Sequence, residues 1–273
     1  MNRLYQGALA LLLAGLGAMT YKALRYRSDA RTWHERWLSL HADPAHRSRF
    51  AADNERLRNE GVVSGRVVFL GASITEQLDL AAEFPTSHFV NRGDGGQLVW
   101  QQLLRVESDA LSLRPEMVVL KMCAINLLPD APPFDETQSY YAQLADRVRS
   151  HGVKVVHATT VPVSRTWDRV EAGGAATGRI RRFNEWLRDT ARMRHELVLD
   201  YAAALGDDEG YLPDALTADG LHPNAAGRQR MVAQIRALFI EGRGVPRPEG
   251  PLPAGAVLPD AAVEADAQTP KDR

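Results

Sequence analysis

The sequence predicts an α/β fold: a parallel sheet of about five strands between two layers of helices, preceded by a hydrophobic N-terminal helix. Short apolar runs alternate with stretches of helical periodicity from residue 67 to residue 239, and such alternation gives a parallel sheet covered on both faces. Val67 to Leu70 is apolar without alternation, as a strand buried on both faces requires. Polar, chemistry-bearing residues follow several of the runs directly, at the carboxyl ends of strands where sites gather in open parallel sheets.

In order along the chain, Val67 to Leu70 reads as the first strand, Gly71 permits a tight turn, and Ile74 through Leu80 can start a helix. His88 to Val90 reads as the second strand, Leu98 to Leu113 as a helix, and Met117 to Met122 as a buried strand. Thr137 to His151 is expected to be helical, Lys154 to Thr160 a strand, Gly178 to Met193 a helix, and Leu197 to Tyr201 the last strand. Ala225 to Phe239 closes the domain as a helix, with Pro223 close to its first turn. Two long connections stand out. Leu127 to Glu136 is stiffened by Pro129, Pro132 and Pro133; Val163 to Thr177 carries Trp167 and the run Ala172-Gly173-Gly174-Ala175-Ala176, and suits a lid or an ordinary surface loop.

The most informative segment is Asp219-Gly220-Leu221-His222-Pro223-Asn224. A carboxylate three residues from an imidazole can orient the ring and stabilise its protonated form, which is what a hydroxyl nucleophile needs from its base. Ser73, in Val67-Val68-Phe69-Leu70-Gly71-Ala72-Ser73-Ile74-Thr75, is the matching hydroxyl. Placed between a strand end and a helix start, it would have an exposed N–H and a helix dipole to favour developing negative charge; alone, it would read as a helix cap. Gly93, in Asn91-Arg92-Gly93, and Asn126, after the third strand, could join it. The Ser73 and Gly93 amides with the Asn126 side chain would give three donors to the oxyanion of a tetrahedral intermediate.

These four segments, in this order across residues 64–240, resemble the four signature blocks of the GDSL/SGNH hydrolases. The resemblance implies a three-layer, flavodoxin-like fold and a serine esterase, with Ser73 as nucleophile, Asp219 and His222 completing a triad, and Ser73, Gly93 and Asn126 as the oxyanion hole. An acyltransferase using the same site and a decayed, membrane-tethered binding module are the alternatives. The chain departs from the family pattern in two places. Ala72 stands where the family usually has Asp, and Ala124-Ile125-Asn126-Leu127 stands where it usually has Gly-x-Asn-Asp. Ala124 is expected to add a methyl group near an acyl chain.

Other chemistries are poorly supported. Position 75 is Thr, so the Gly-x-Ser-x-Gly elbow is missing, and Gly93-Asp94-Gly95-Gly96 lacks the spacing of a dinucleotide fingerprint. No cofactor and no metal are expected, since the eight histidines show no paired ligand spacing. The single cysteine, Cys123, and His157 read as buried structural residues. Arg165, Arg169 and Arg179 could meet an anionic substrate or simply be solvated. A formal net charge of −1 gives no basic field for nucleic acid. The expected partners are a small-molecule, lipid or carbohydrate ester and a membrane.

Flanking segments complete the organisation: residues 1–28 an anchor or signal, 29–63 a helical extension, 64–242 the catalytic domain, and 243–273 a Pro/Ala-rich tail expected to be disordered. Leu4 to Leu24 is long enough to span a bilayer, and an uncleaved anchor is the expectation; a cleaved signal peptide and a soluble hydrophobic helix are the alternatives. Lys22, Arg25, Arg27 and Arg31 outweigh Arg3, placing the domain in the cytoplasm, whereas the family resemblance points outside the cytoplasmic membrane. In the extension, Trp33, Trp37 and Leu40 share one helical face, Pro44 interrupts, and Ser48 to Asn59 resumes the helix.

Overall fold

The computed structural model describes residues 42–242 and a few isolated positions between 16 and 27. The expected anchor lies mostly outside the described residues, and the Trp33/Trp37/Leu40 face and the 243–273 tail wholly so. Among the described residues, no helix is long and apolar enough to cross a membrane.

Five parallel strands form one sheet in the order β2-β1-β3-β4-β5: β1 (Val67–Gly71), β2 (Phe89–Gly93), β3 (Met117–Lys121), β4 (Lys154–Ala158) and β5 (Leu197–Leu199). Pairing is in step across the centre, with Val67 opposite both Phe89 and Met117, and Met117 opposite Lys154. Because side chains alternate faces along a strand, Val68, Leu70, Val118 and Leu120 point into one apolar layer, and Val67, Phe69, Val119 and Val156 into the other. The first layer is covered by α1 (Ala51–Asn59), α4 (Val99–Asp109), α5 (Phe134–Ser150) and α7 (Ala176–Met193). The second lies under α2 (Ser73–Glu76), α3 (Leu80–Glu83), α8 (Tyr201–Leu205) and α9 (Ala225–Phe239). Val68, Leu70 and Leu120 are fully buried whereas Leu197 on the edge strand is 38% exposed. At about 1.5–3 kcal/mol per fully buried side chain, the central strands hold the sheet.

The structure redraws several expected boundaries. The second strand runs on through Gly93, because the charged Arg92 finds Asp53, Asn54 and the Asn91 carbonyl as partners beneath α1. The helix after Ser73 is a single turn; Asp79 then caps α3, accepting the Ala82 N–H at 3.1 Å. The helix expected from Leu98 stops at Asp109, and a 3₁₀ turn over Leu111–Leu113 follows. The proline-rich connection is shorter than expected, since Pro133 accepts the Thr137 N–H at 2.9 Å and α5 starts at Phe134.

The 163–177 connection is not an irregular loop. It holds α6 (Arg165–Glu171), capped by Ser164, and buried Asp168 accepts the Ala176 N–H at 2.8 Å to tie the glycine-rich turn to α7. β5 ends two residues early because Asp200 caps α8, accepting the Ala203 N–H.

Candidate active site

Ser73 stands two residues beyond the last residue of β1, as the first residue of α2. One helical turn carries little macrodipole, so its local electrostatic asset is its own N–H, which has no acceptor among the described residues. The hydroxyl is not a cap. Ser73 Oγ lies 2.9 Å from His222 Nε2, across 149 residues of sequence.

The segment that brings His222 there is built around one turn. Thr217 Oγ1 accepts the Gly220 N–H at 2.9 Å and donates to the His222 carbonyl at 2.8 Å. Asp219 Oδ1 accepts the N–H groups of Leu221 (2.9 Å) and His222 (2.7 Å), leaving Oδ2 to meet His222 Nδ1 at 2.7 Å. Gly220 sits at φ +83, and a Cβ there would lie 2.5 Å from Ser164 Oγ and 2.7 Å from Trp167 Cβ, so conformation and space both demand glycine. Asn224 then caps α9, accepting the Gly227 N–H at 3.1 Å.

The protonation pattern follows from these partners. Partial burial raises the Asp219 pKa, but the His222 N–H and ring and the Leu221 N–H outweigh it and bring it down to about 2. An ionised carboxylate only accepts, so His222 Nδ1 must carry the hydrogen, and the Nε2 lone pair faces the Ser73 hydroxyl.

The expected donors Asn126 and Gly93 have different hydrogen-bonding surroundings. Asn126, 2% exposed, sits in a 3₁₀ turn (Ala124–Leu127) beyond β3; its Oδ1 accepts the Val99 N–H at 2.8 Å and its Nδ2 donates to the Cys123 carbonyl at 2.9 Å. One hydrogen on Nδ2 is left over. Gly93, by contrast, is buried, and its N–H already donates to Asn91 Oδ1 at 2.8 Å, which removes it from the free donors. Its glycine serves close approach, because a Cβ there would collide with the Glu76 backbone. The next two glycines, Gly95 and Gly96, are exposed. Neither N–H has an acceptor among the described residues, and a Cβ on Gly95 would lie 3.8 Å from Ser73 Cβ.

The remaining expected residues have structural partners. Ala72, Ala124 and Leu127 are 1%, 1% and 2% exposed, and Ala124 and Leu127 belong to the apolar layer beside the sheet. The Ala124 methyl is therefore core, not pocket lining. Cys123 is buried. His157 is buried between Tyr141 Oη (2.9 Å) and Glu196 Oε2 (2.7 Å). Arg165 pairs with Glu209 and stacks on Tyr211, while Arg179 donates to the Leu128 carbonyl at 2.9 Å. Among the described residues, no cluster of three or more His, Cys, Asp or Glu side chains could hold a metal ion.

Sequence reasoning missed the buried polar network behind the site. Arg105, fully buried, donates to the carbonyls of Gly71 (3.0 Å) and Arg92 (2.8 Å), pinning the ends of β1 and β2, and to Gln97 Oε1 at 2.6 Å. The legible signal was an Arg and an Asp four apart on one helix, which reads equally well as a solvated pair.

Comparison with known proteins agrees with this architecture. A family profile described as the GDSL-like lipase/acylhydrolase family matches residues 69–230. A GDSL-like lipase from Bacteroides thetaiotaomicron VPI-5482 is similar at 25% identity and a TM-score of 0.63, covering 72% of this chain and 98% of that one. A lipase/acylhydrolase from Enterococcus faecalis (22% identity, TM-score 0.53, 66% of this chain and 97% of that one) shares the fold. So does an acetylxylan esterase from Geobacillus stearothermophilus (16% identity, TM-score 0.52, 64% and 94%). No curated protein sequence matches. The chain belongs to the GDSL-like lipase/acylhydrolase family.

Proposed function

We propose that this protein is a serine esterase that cleaves a carboxylic ester through an acyl-enzyme. The observation that carries this reading is the continuous line Asp219 Oδ2–His222 Nδ1 (2.7 Å) and His222 Nε2–Ser73 Oγ (2.9 Å). His222 Nε2 takes the hydroxyl proton as Ser73 Oγ attacks the ester carbonyl, and the new C–O bond pushes the carbonyl electrons onto oxygen. The Ser73 N–H, the spare Asn126 N–H and an amide of the Gly95–Gly96 bridge are the donors available to that oxyanion. The imidazolium, stabilised by ionised Asp219, then protonates the leaving alcohol. In the second half His222 deprotonates a water that attacks the acyl carbonyl, and the imidazolium gives that proton to Ser73 Oγ as its bond to the acyl carbon breaks and the acid leaves. Short acyl esters of small alcohols or carbohydrates are within this chemistry, as the name of the acetylxylan esterase neighbour illustrates, and the apolar N-terminal stretch would tether the activity to a membrane.

A fluorophosphonate probe should label wild-type protein at Ser73 and leave Ser73→Ala unlabelled, with p-nitrophenyl ester hydrolysis lost in parallel. A well-folded wild type that neither labels nor turns over any such ester would instead fit a decayed binding module.

A further inference from the structure

We propose that the segment before the catalytic domain is part of the catalytic apparatus: His46 and Arg49 position the Gly95–Gly96 bridge against Ser73 by holding Asp94. The inference rests on the serine-esterase reading. It starts from a buried carboxylate whose partners come mostly from outside its own loop. Asp94 is 2% exposed, and its side chain accepts from Arg49 Nη1 (2.7 Å) and Gln97 Nε2 (2.7 Å) and meets His46 Nδ1 (3.1 Å). Its own N–H donates to the Gly71 carbonyl at 3.1 Å, directly before Ala72 and Ser73.

The two glycines that follow have no side chains to fix them, so their position depends on the residues at either end. Asp94 is fixed by His46 and Arg49. Gln97 is fixed by the same segment: its Nε2 also donates to the Ala45 carbonyl at 2.9 Å, and Gln101, one turn further, donates to the Pro44 carbonyl at 2.6 Å. Arg49 also pairs with Glu76, on the turn that Ser73 begins. One guanidinium thus joins the nucleophile's turn to the bridge facing it. His46 reaches Asp94 from a left-handed backbone, φ 52, which few residues other than glycine adopt. Phe50 lies under Arg49, Arg92 and Arg105 at 4.8–5.8 Å, seating the segment on the network behind the strands.

Without Arg49 or His46, Asp94 keeps fewer donors while still buried, and the bridge loses its fixed distance to Ser73. Misplacing a preorganised donor slows the chemical step more than it weakens ground-state binding.

The test uses the full chain and four variants: Arg49→Ala, His46→Ala, Arg49→Lys and Arg47→Ala, the last removing a neighbouring charge that touches neither Asp94 nor Glu76. Arg49→Ala should lower kcat on p-nitrophenyl acetate about 10–100-fold with KM nearly unchanged. His46→Ala should lower it less, Arg49→Lys should recover part of the loss, and Arg47→Ala should match wild type. Because Arg49 acts through Asp94, adding Asp94→Asn to Arg49→Ala should cost less than the two single losses multiplied. Amide hydrogen exchange over residues 94–97 should quicken in Arg49→Ala whether or not an ester is turned over, which separates this proposal from the esterase reading. Unchanged kcat and unchanged exchange in both alanine variants would overturn it, as would strictly multiplicative losses. If Arg49→Ala does not fold, His46→Ala and Arg49→Lys decide on the same readouts.

Discussion

The two sides of Ser73 are built in opposite ways. On the acid–base side, the bonds that orient the ring are local: Thr217, Asp219 and His222 bond to one another and to neighbouring amides within a few residues. On the side of residues 94–97 and 126, local bonds such as Gln97 to Asp94 are joined by partners far away in sequence. Asp94 depends on residues 46 and 49, Arg105 holds carbonyls at 71 and 92, and Asn126 is seated by the Val99 N–H. A base needs one orientation, which a short turn can set. An oxyanion hole needs donors converging from several chain segments, which only packing can set.

The comparison is broken or sharpened by three substitutions. Asp219→Asn should have the largest effect, lowering kcat by up to about 10⁴ by losing the ionised group that selects the His222 tautomer. Stability should change little. A carboxyl whose pKa falls on folding stabilises the native state above its unfolded value of 3.8 and loses that as the pH falls through about 2, but this side chain is 56% exposed and screened by solvent. Coincident thermal melts of wild type and variant at pH 7, beside the kinetic loss, are the expected result. A large fall in melting temperature would mean that the acid–base turn is not self-sufficient.

Next in size, Asn126→Asp keeps the acceptor for Val99 but removes the donor. It should cost about 10²–10³ in kcat with a smaller change in KM, and a loss confined to KM would take Asn126 out of the oxyanion hole. Glu196→Gln, away from both sides, should leave turnover unchanged. Burial raises the Glu196 pKa, but hydrogen bonds and charges from Arg149 and His157 outweigh it and bring it from 4.5 to about 2. That stabilisation is present above about pH 4.5 and lost as the pH falls through about 2. The variant should therefore be less stable by about 2–4 kcal/mol at pH 7, with the gap to wild type narrowing on acidification in calorimetry.

The sequence by itself determined the alternation of strands and helices, because buried strands and amphipathic helices have different hydrophobic periods. It also determined the Asp219–His222 turn, because three-residue spacing with a glycine between is a local geometry. It named Ser73 and Asn126 from their places after strands. It did not distinguish the glycines of Asn91-Arg92-Gly93-Asp94-Gly95-Gly96: only the strand register, with Gly93 opposite Gly71 and its N–H held by Asn91, shows that the Gly93 N–H is already engaged. It could not reveal that a segment 45 residues away in sequence reaches Asp94. Charge pairs of that kind leave no periodic trace in a sequence. They are decided only when the sheet has formed and a carboxylate, taken out of water, must find its donors wherever the fold supplies them.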